Sequence, residues 1–478
     1  MVQVVRPTPI SKVAQAPARF TALVLALATG MAPVLPSTAR AQEPGAGQNM
    51  PGVIRDAEVE QLLRDYATPI FKAAGVNGGA TKIILIGDRS FNAFVANGRK
   101  IFVNVGAIME AKAPSEIIGV LAHETGHIAG GHLAGIHAEM AKAQIFAIAG
   151  MLVGAGGVVA TARNNRPGSQ VGADSAGQMG MLLGPQELVR RSLLSYVRSQ
   201  EESADRAAVK YLENTGQSAK GLLVTLERFE NESLFKTTSV DPYTLSHPLP
   251  RERLSNLETA AKASRTFNAP EQAGLQARHD LVRAKLVGFM GTTSEIGRRY
   301  PLSDQSLAAK YARAVSAYRF GRIADAQTQV DGLIAAQPNN PYFHELKGQA
   351  LLESGKARES LAPLRKAVSL APQGLPIKVL LGHALVAADQ ADEAIKALTQ
   401  VTQSDPEDGE AYQYLSMAYD KKGNVPQSQL AAAQGFFLNG RYVEARTQAD
   451  RAKRQFAEGS PGWLKADDIL NYRPPKFD

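Results

Sequence analysis

Beyond a Gly/Pro-rich stretch at residues 43–52, Val59, Leu62, Leu63, Tyr66 and Ile70 recur at helical spacing and predict a helix over residues 54–74. Two β-like runs follow, at 82–86 and 101–105, with Asn92-Ala93-Phe94 and the turn pair Asn97-Gly98 between them. A second helix is expected from Pro114 and Ser115, with Ile117, Ile118, Val120 and Leu121 on its apolar face. It runs on to the paired glycines Gly130 and Gly131. Residues 143–162 carry no charge, and only Gln144 and Thr161 there are polar. That run is just long enough to span a bilayer. Gly150, Gly154, Gly156 and Gly157 weaken it as a lone helix, however, so a buried or membrane-touching hairpin is expected over a true span. Residues 163–185, rich in Gly, Asn, Ser and Gln, read as a loop of the kind that forms lids, ahead of a helix over 186–214.

From about residue 305 the pattern becomes periodic. Pro338, Pro372 and Pro406 recur at 34 residues, as do Gly321, Gly355 and Gly423, with Asp389 in the missing place. Ala326, Ser360 and Ala394 form a third register, and Gly348 and Gly382 a fourth. Helix pairs with Gly at the inner turn and Pro after the second helix are the signature of the tetratricopeptide repeat, TPR. Three units are clear, a degenerate fourth covers 411–438, and Asn439-Gly440-Arg441 turns into another pair. The expected fold is mainly α (α+β): an α-rich domain with a small β-sheet over 42–265, a helical linker over 266–304, a TPR α-superhelix over 305–457 and a tail over 458–478.

A length of 478 residues independently requires more than one core, and 44% hydrophobic with 21% charged residues is globular composition. Residues 1–41 read as a signal peptide instead of structure. Arg6, Lys12 and Arg19 precede a short apolar run, and Ala39-Arg40-Ala41 offers a small-x-small cleavage site. Export with cleavage after Ala41 is expected, a retained anchor being the alternative. Losing the four basic residues of that segment, which has no acidic ones, lowers the formal charge from +8 to +4. No dense Lys/Arg run remains, so nucleic acid binding has no support. Weak peripheral contact with an anionic membrane surface is still compatible with the charge. There is no cysteine, which excludes disulfides, thiolate nucleophiles and thiolate ligands. Any metal must be held by His and carboxylates.

Such a set is present. His123 and His127 stand four apart on the second helix, so both imidazoles project from one face and can share a cation. Glu124 beside them is placed as general base instead of ligand, which makes residues 123–127 an HExxH arrangement. A third ligand is needed. Metzincin spacing puts it at position 133, which is Leu133, and His132 falls one residue early. No carboxylate lies near Phe146, where a thermolysin-like site has one. The next candidate is Glu201, with Asp205 one helical turn further on and able to accept from the free ring nitrogen of a His ligand. Glu202 is its rival, but Arg206 stands four residues beyond that. His132 and His137 read as structural or supporting groups, and His279, His344 and His383 as ordinary helix residues. His247, in Ser246-His247-Pro248-Leu249-Pro250, either supports substrate or takes the open metal position and holds the site inactive. Arg253 or His247 is the candidate donor to an anionic intermediate, a structural role being the alternative for each.

HETGH followed at distance by Glu-x-x-x-Asp resembles the membrane-associated zinc peptidases that include HtpX and the CAAX prenyl endopeptidases. Asn92-Ala93-Phe94 ahead of Ile101-Phe102-Val103, and Ser246-His247-Pro248 with Arg253, fit the same pattern. With a signal peptide and TPR array added, the likeness is nearest to the periplasmic BepA/YfgC type. The resemblance implies a zincin-like, gluzincin-type metalloendopeptidase with one Zn2+ on His123, His127 and Glu201, Glu124 as base and Asp205 in support. It further implies outer-membrane protein quality control: cleaving unfolded or stalled polypeptides, with chaperone-like help to maturation. On this reading the TPR array recruits substrate or the outer-membrane assembly machinery, and residues 101–105 pair with an extended substrate as an added strand. The rivals are a non-proteolytic TPR adaptor or chaperone with a structural or latched zinc site and, last, an exopeptidase.

Overall fold

A computed structural model describes residues 3–4, 52–136, 175–235, 247–248 and 251–473, with 3–4, 175–194 and 232–235 as backbone only. The expected hairpin at 143–162, most of the lid-like loop, His137 and nearly all of the expected signal peptide lie outside the described residues. Strand β1 (Gln3–Val4) pairs with β2 (Val53–Arg55). Asp56 then starts helix α1 (Ala57–Ala74) by accepting from the Glu58 and Val59 N–H groups, so the chain is extended where helix was expected from residue 54. Gly75, at φ 68°, ends α1 in the left-handed conformation.

Strands β3 (Lys82–Ile86), β4 (Ala93–Ala96) and β5 (Lys100–Asn104) complete a sheet of order β1-β2-β3-β5-β4. Asn97 and Gly98, both at positive φ, make the tight β4–β5 turn. β5 runs parallel to β3 and antiparallel to β4, so both of its ladders are used. The run at 101–105, expected to take an added strand, is therefore central, and the edge strands among the described residues are β1 and β4.

Helices α2 (Val105–Glu110) and α3 (Pro114–Ala129) follow, then α4 (Ser175–Asn214), α5 (Lys220–Phe235) and α6 (Arg251–Ala263). α4 starts earlier than expected and continues through Pro185, flanked by good helix formers such as Met181, Leu182 and Leu183. α3 is the buried centre of this domain. A Cβ on Gly119 would stand 2.7 Å from Leu222 Cβ and 2.8 Å from its backbone nitrogen, so only glycine lets α5 lie this close.

Residues read as a linker hold α7 (Leu275–Met290) and α8 (Thr293–Arg299), and α7 packs on α1, α2 and α9 (Leu307–Arg319). Its His279 is fully buried, with Nδ1 3.1 Å from the Tyr66 hydroxyl and Nε2 3.0 Å from the Ala111 carbonyl. One apolar core runs without a break from Ile54 through α3 and α7 to Ala350 of the repeats.

The repeats comprise α9 with α10 (Ile323–Ala336), α11 (Pro341–Glu353) with α12 (Ala357–Leu370) and α13 (Leu375–Ala387) with α14 (Ala391–Ser404). α15 (Gly409–Lys421) with α16 (Val425–Leu438), and α17 (Tyr442–Lys453) with α18 (Pro461–Asn471), continue the series into the expected tail. Each inner turn has its left-handed residue, and Asp389, at φ 66°, takes that conformation where the glycines of the other turns do. The array also returns to the sheet. Arg55 lies 3.0 Å from Asp405 and 3.2 Å from Asp408, and Lys82 lies 2.8 Å from Glu407, all three acids standing at the α14–α15 turn.

Candidate metal centre

His123 and His127 share one side of α3 because the helix keeps its pitch through Gly126. A Cβ at Gly126 would stand 2.9 Å from the Ala204 carbonyl oxygen, so its absence lets α4 lie against the motif. That approach brings Glu201 and Asp205 to the two imidazoles. The Nε2 atoms of His123 and His127 lie 3.0 Å apart. Glu201 stands 3.4 Å from His123 Nε2 and 3.3 Å from His127 Nε2. His247 Nδ1 is 3.4 Å from His123 Nε2 and 3.2 Å from both Glu201 oxygens.

Four donors held about 2.0–2.1 Å from a tetrahedral cation stand about 3.3 Å from one another. Five of the six closest contacts among these four residues measure 3.0–3.4 Å, with Glu201 using Oε2 towards His123 and Oε1 towards His127. Imidazole nitrogens and one carboxylate are also the donor types zinc takes. Burial drives His127 down to about 3, which leaves its ring neutral with a lone pair to offer. Glu201 is held well below the usual carboxylate range because the neighbouring His rings outweigh its burial. The residues fit the metal.

The supporting groups are as ordered as the cluster. Asp205 Oδ1 is 2.9 Å from His123 Nδ1, the side of that ring facing away from the cluster. Without a metal, Asp205 and Glu201 together outweigh burial at His123 and pull it up to about 10, so a cation at its Nε2 would take the place of a proton. Arg253, expected as a donor to substrate, is 1% exposed and turned inward. Its Nε donates to Asp205 at 2.6 Å, and one terminal nitrogen reaches Glu201 at 2.8 Å and the Pro248 carbonyl at 3.1 Å. One guanidinium thus ties α4 to the His247 loop. Glu202 points away, towards Arg206 at 3.6 Å.

Glu124 is fully buried, and neither of its carboxylate oxygens accepts a hydrogen bond among the described residues. The nearest basic group is His247 Nε2, 3.4 Å from Oε1. The same nitrogen is 3.2 Å from the Ala93 carbonyl on the edge strand β4. Sequence reasoning did not foresee that contact, because strand order cannot be read from periodicity. His132, read from the sequence only as a structural or supporting group, has its Nδ1 3.0 Å from His127 Nδ1.

Residues 54–261 match peptidase family M48, and residues 311–374 and 351–418 match tetratricopeptide repeat families. The chain is 25% identical over 423 residues to the beta-barrel assembly-enhancing protease of Escherichia coli (strain K12), across 85% of this chain and 81% of that protein. The protein of that name from Yersinia pestis is 25% identical over 397 residues, across 81% and 78% of the two chains. A putative beta-barrel assembly-enhancing protease of Vibrio cholerae is 24% identical over 409 residues, across 83% and 80%. The chain thus joins a stretch that matches peptidase family M48 to tetratricopeptide repeats, the arrangement of a metallopeptidase similar along most of its length to the beta-barrel assembly-enhancing proteases.

Proposed function

We propose that this chain is a zinc-dependent endopeptidase of HExxH type acting on misfolded or stalled envelope proteins. The observation that carries it is the convergence of His123, His127 and Glu201 beside the buried carboxylate of Glu124, whose oxygens accept no hydrogen bond among the described residues. In this reading those three residues hold one Zn2+, which when bound polarises the scissile carbonyl and acidifies water. Glu124 takes the proton of the attacking water and delivers it to the leaving amine. Asp205 keeps the proton of His123 on Nδ1. Arg253 is a positioning residue that holds Asp205, Glu201 and the Pro248 turn in register. An extended polypeptide adds to the open edge of β4, bound mainly through its backbone. The TPR array recruits the polypeptide or the assembly machinery, in keeping with the relatives' name.

Export to the periplasm is the matching location. Among the described residues no helix is long and apolar enough to cross a membrane, and a peripheral contact is compatible with that.

The test is hydrolysis of casein by residues 42–478. Chelation is expected to abolish cleavage and one equivalent of zinc to restore it. Cleavage that survives complete zinc removal would sink the metallopeptidase reading.

A second reading is favoured by His247, whose Nδ1 completes the donor set. We infer that it latches the site, engaging Ala93 O and Glu124 at the same time. His247→Ala is expected to raise casein hydrolysis several-fold with zinc content unchanged. Lower activity would assign His247 to catalysis. If the variant binds zinc and both proteins are inert, the adaptor or chaperone reading takes over.

A further inference from the structure

The Nδ1 atoms of His127 and His132 face each other at 3.0 Å, with the rings 85° apart. Two imidazole nitrogens at that separation share one proton. A His127 that turns its Nε2 lone pair to a metal keeps its single proton on Nδ1. It is therefore the donor, and His132 accepts through Nδ1 while its own proton sits on Nε2. With the Nε2 lone pair of His127 given to a metal, no other arrangement joins two neutral rings.

Local structure is arranged to allow this contact. Were α3 to continue, the residue five beyond His127 would lie about 140° round the helix. Instead α3 ends at Gly130, and Gly131, at φ 63°, turns the chain back. A Cβ on Gly130 would stand 2.2 Å from His132 Nε2, so the returning ring occupies the space that any other residue there would fill. His132 is 5% exposed in consequence.

We propose that His132 is a positioning residue of the metal centre, fixing the tautomer and ring orientation of His127 as Asp205 does for His123. This rests on the zinc reading above. The two supports differ in kind. His123 is backed by an anion at 2.9 Å, which strengthens it as a donor, whereas His127 is backed by a neutral ring. The His127 arm is thus the weaker of the two, and the more sensitive to loss of its support.

The experiment compares residues 42–478 unmutated, as His132→Leu and as His132→Asn, by zinc competition against a chelator and by melting of the metal-free proteins. His132→Leu is expected to weaken zinc binding roughly ten- to hundred-fold with metal-free melting unchanged. His132→Asn, whose Oδ1 can accept the same proton, is expected to recover most of the affinity. Unmutated affinity in the Leu variant, Asn no better than Leu, or losses that merely follow a lower metal-free melting temperature each overturn the inference alone. An unmutated chain that binds no zinc overturns the zinc reading and this inference with it.

Discussion

Glu124→Gln is expected to lower casein hydrolysis by roughly 10²- to 10⁴-fold, the range for removing a positioned general base, while one zinc per chain is retained. Gln has the shape of Glu, so the packing of a fully buried side chain is preserved. The residues proposed to hold the metal, His123, His127 and Glu201, are untouched. What disappears is the capacity to take a proton and give it back. Glu124 is set apart from the other carboxylates here: Asp205 and Glu201 are held by Arg253 and His rings, whereas neither Glu124 oxygen has a hydrogen-bond donor among the described residues. The substitution also removes the charge facing His247 at 3.4 Å, which by itself loosens the proposed latch and acts towards more activity. A large loss therefore speaks for the base directly. Zinc lost together with activity would make Glu124 a ligand, and activity within tenfold of the unmutated chain would move the proton to another group.

The parts of this site legible in the sequence are those set by helical periodicity. Four-residue spacing puts His123 with His127 on one face, and Glu201 with Asp205 on another, whatever the tertiary fold. The repeat registers are legible for the same reason, down to Asp389 in the left-handed turn. Features that depend on which elements become neighbours were not. The runs at 82–86 and 101–105 read as strands, but nothing in their alternation says that β5 lies between β3 and β4. Arg253 reads either as a donor to an anionic intermediate or as structural, and the sequence does not decide because Asp205 and Glu201 stand far earlier in the chain, on α4. His132 falls one residue short of a metzincin spacing and reads only as a structural or supporting group. Only the break at Gly130 and Gly131 brings it back to His127. α7 reads as a linker because it has no single apolar stripe: it is buried on several sides, and His279 and Lys285 interrupt its pattern with polar groups that face partners inside the protein.

Lys285 is where the peptidase domain and the repeats depend on one another. Its ammonium, 2% exposed, lies 2.8 Å from Asp56, 3.4 Å from Glu58 and 3.6 Å from Glu345. Asp56 is the cap of α1, Glu58 lies in its first turn, and Glu345 belongs to α11 of the repeats. Tyr311 of α9 donates to Glu58 at 2.9 Å. Even so, burial pushes Glu58 above the ordinary carboxylate range, with Lys285 the largest opposing influence. Removing that cation leaves buried acids that must either stay charged without it or take up protons. Lys285→Met keeps the aliphatic bulk and is expected to cost about 3–5 kcal/mol, the usual penalty for breaking a buried ion pair from one side. A buried carboxylate deprived of a neighbouring cation has its pKa raised, so the penalty it adds grows as pH rises above the unfolded range near 4 and vanishes below it. The deficit is thus expected to be largest at neutral pH and to shrink as pH falls towards 4. Because one core joins Ile54 to Ala350, the helices of both regions should lose stability together in urea. Circular dichroism with hydrogen exchange on α3 and α11 would follow this. A shift under 1 kcal/mol, or repeats that unfold as before while α3 is destabilised, would show that Lys285 does not couple the two.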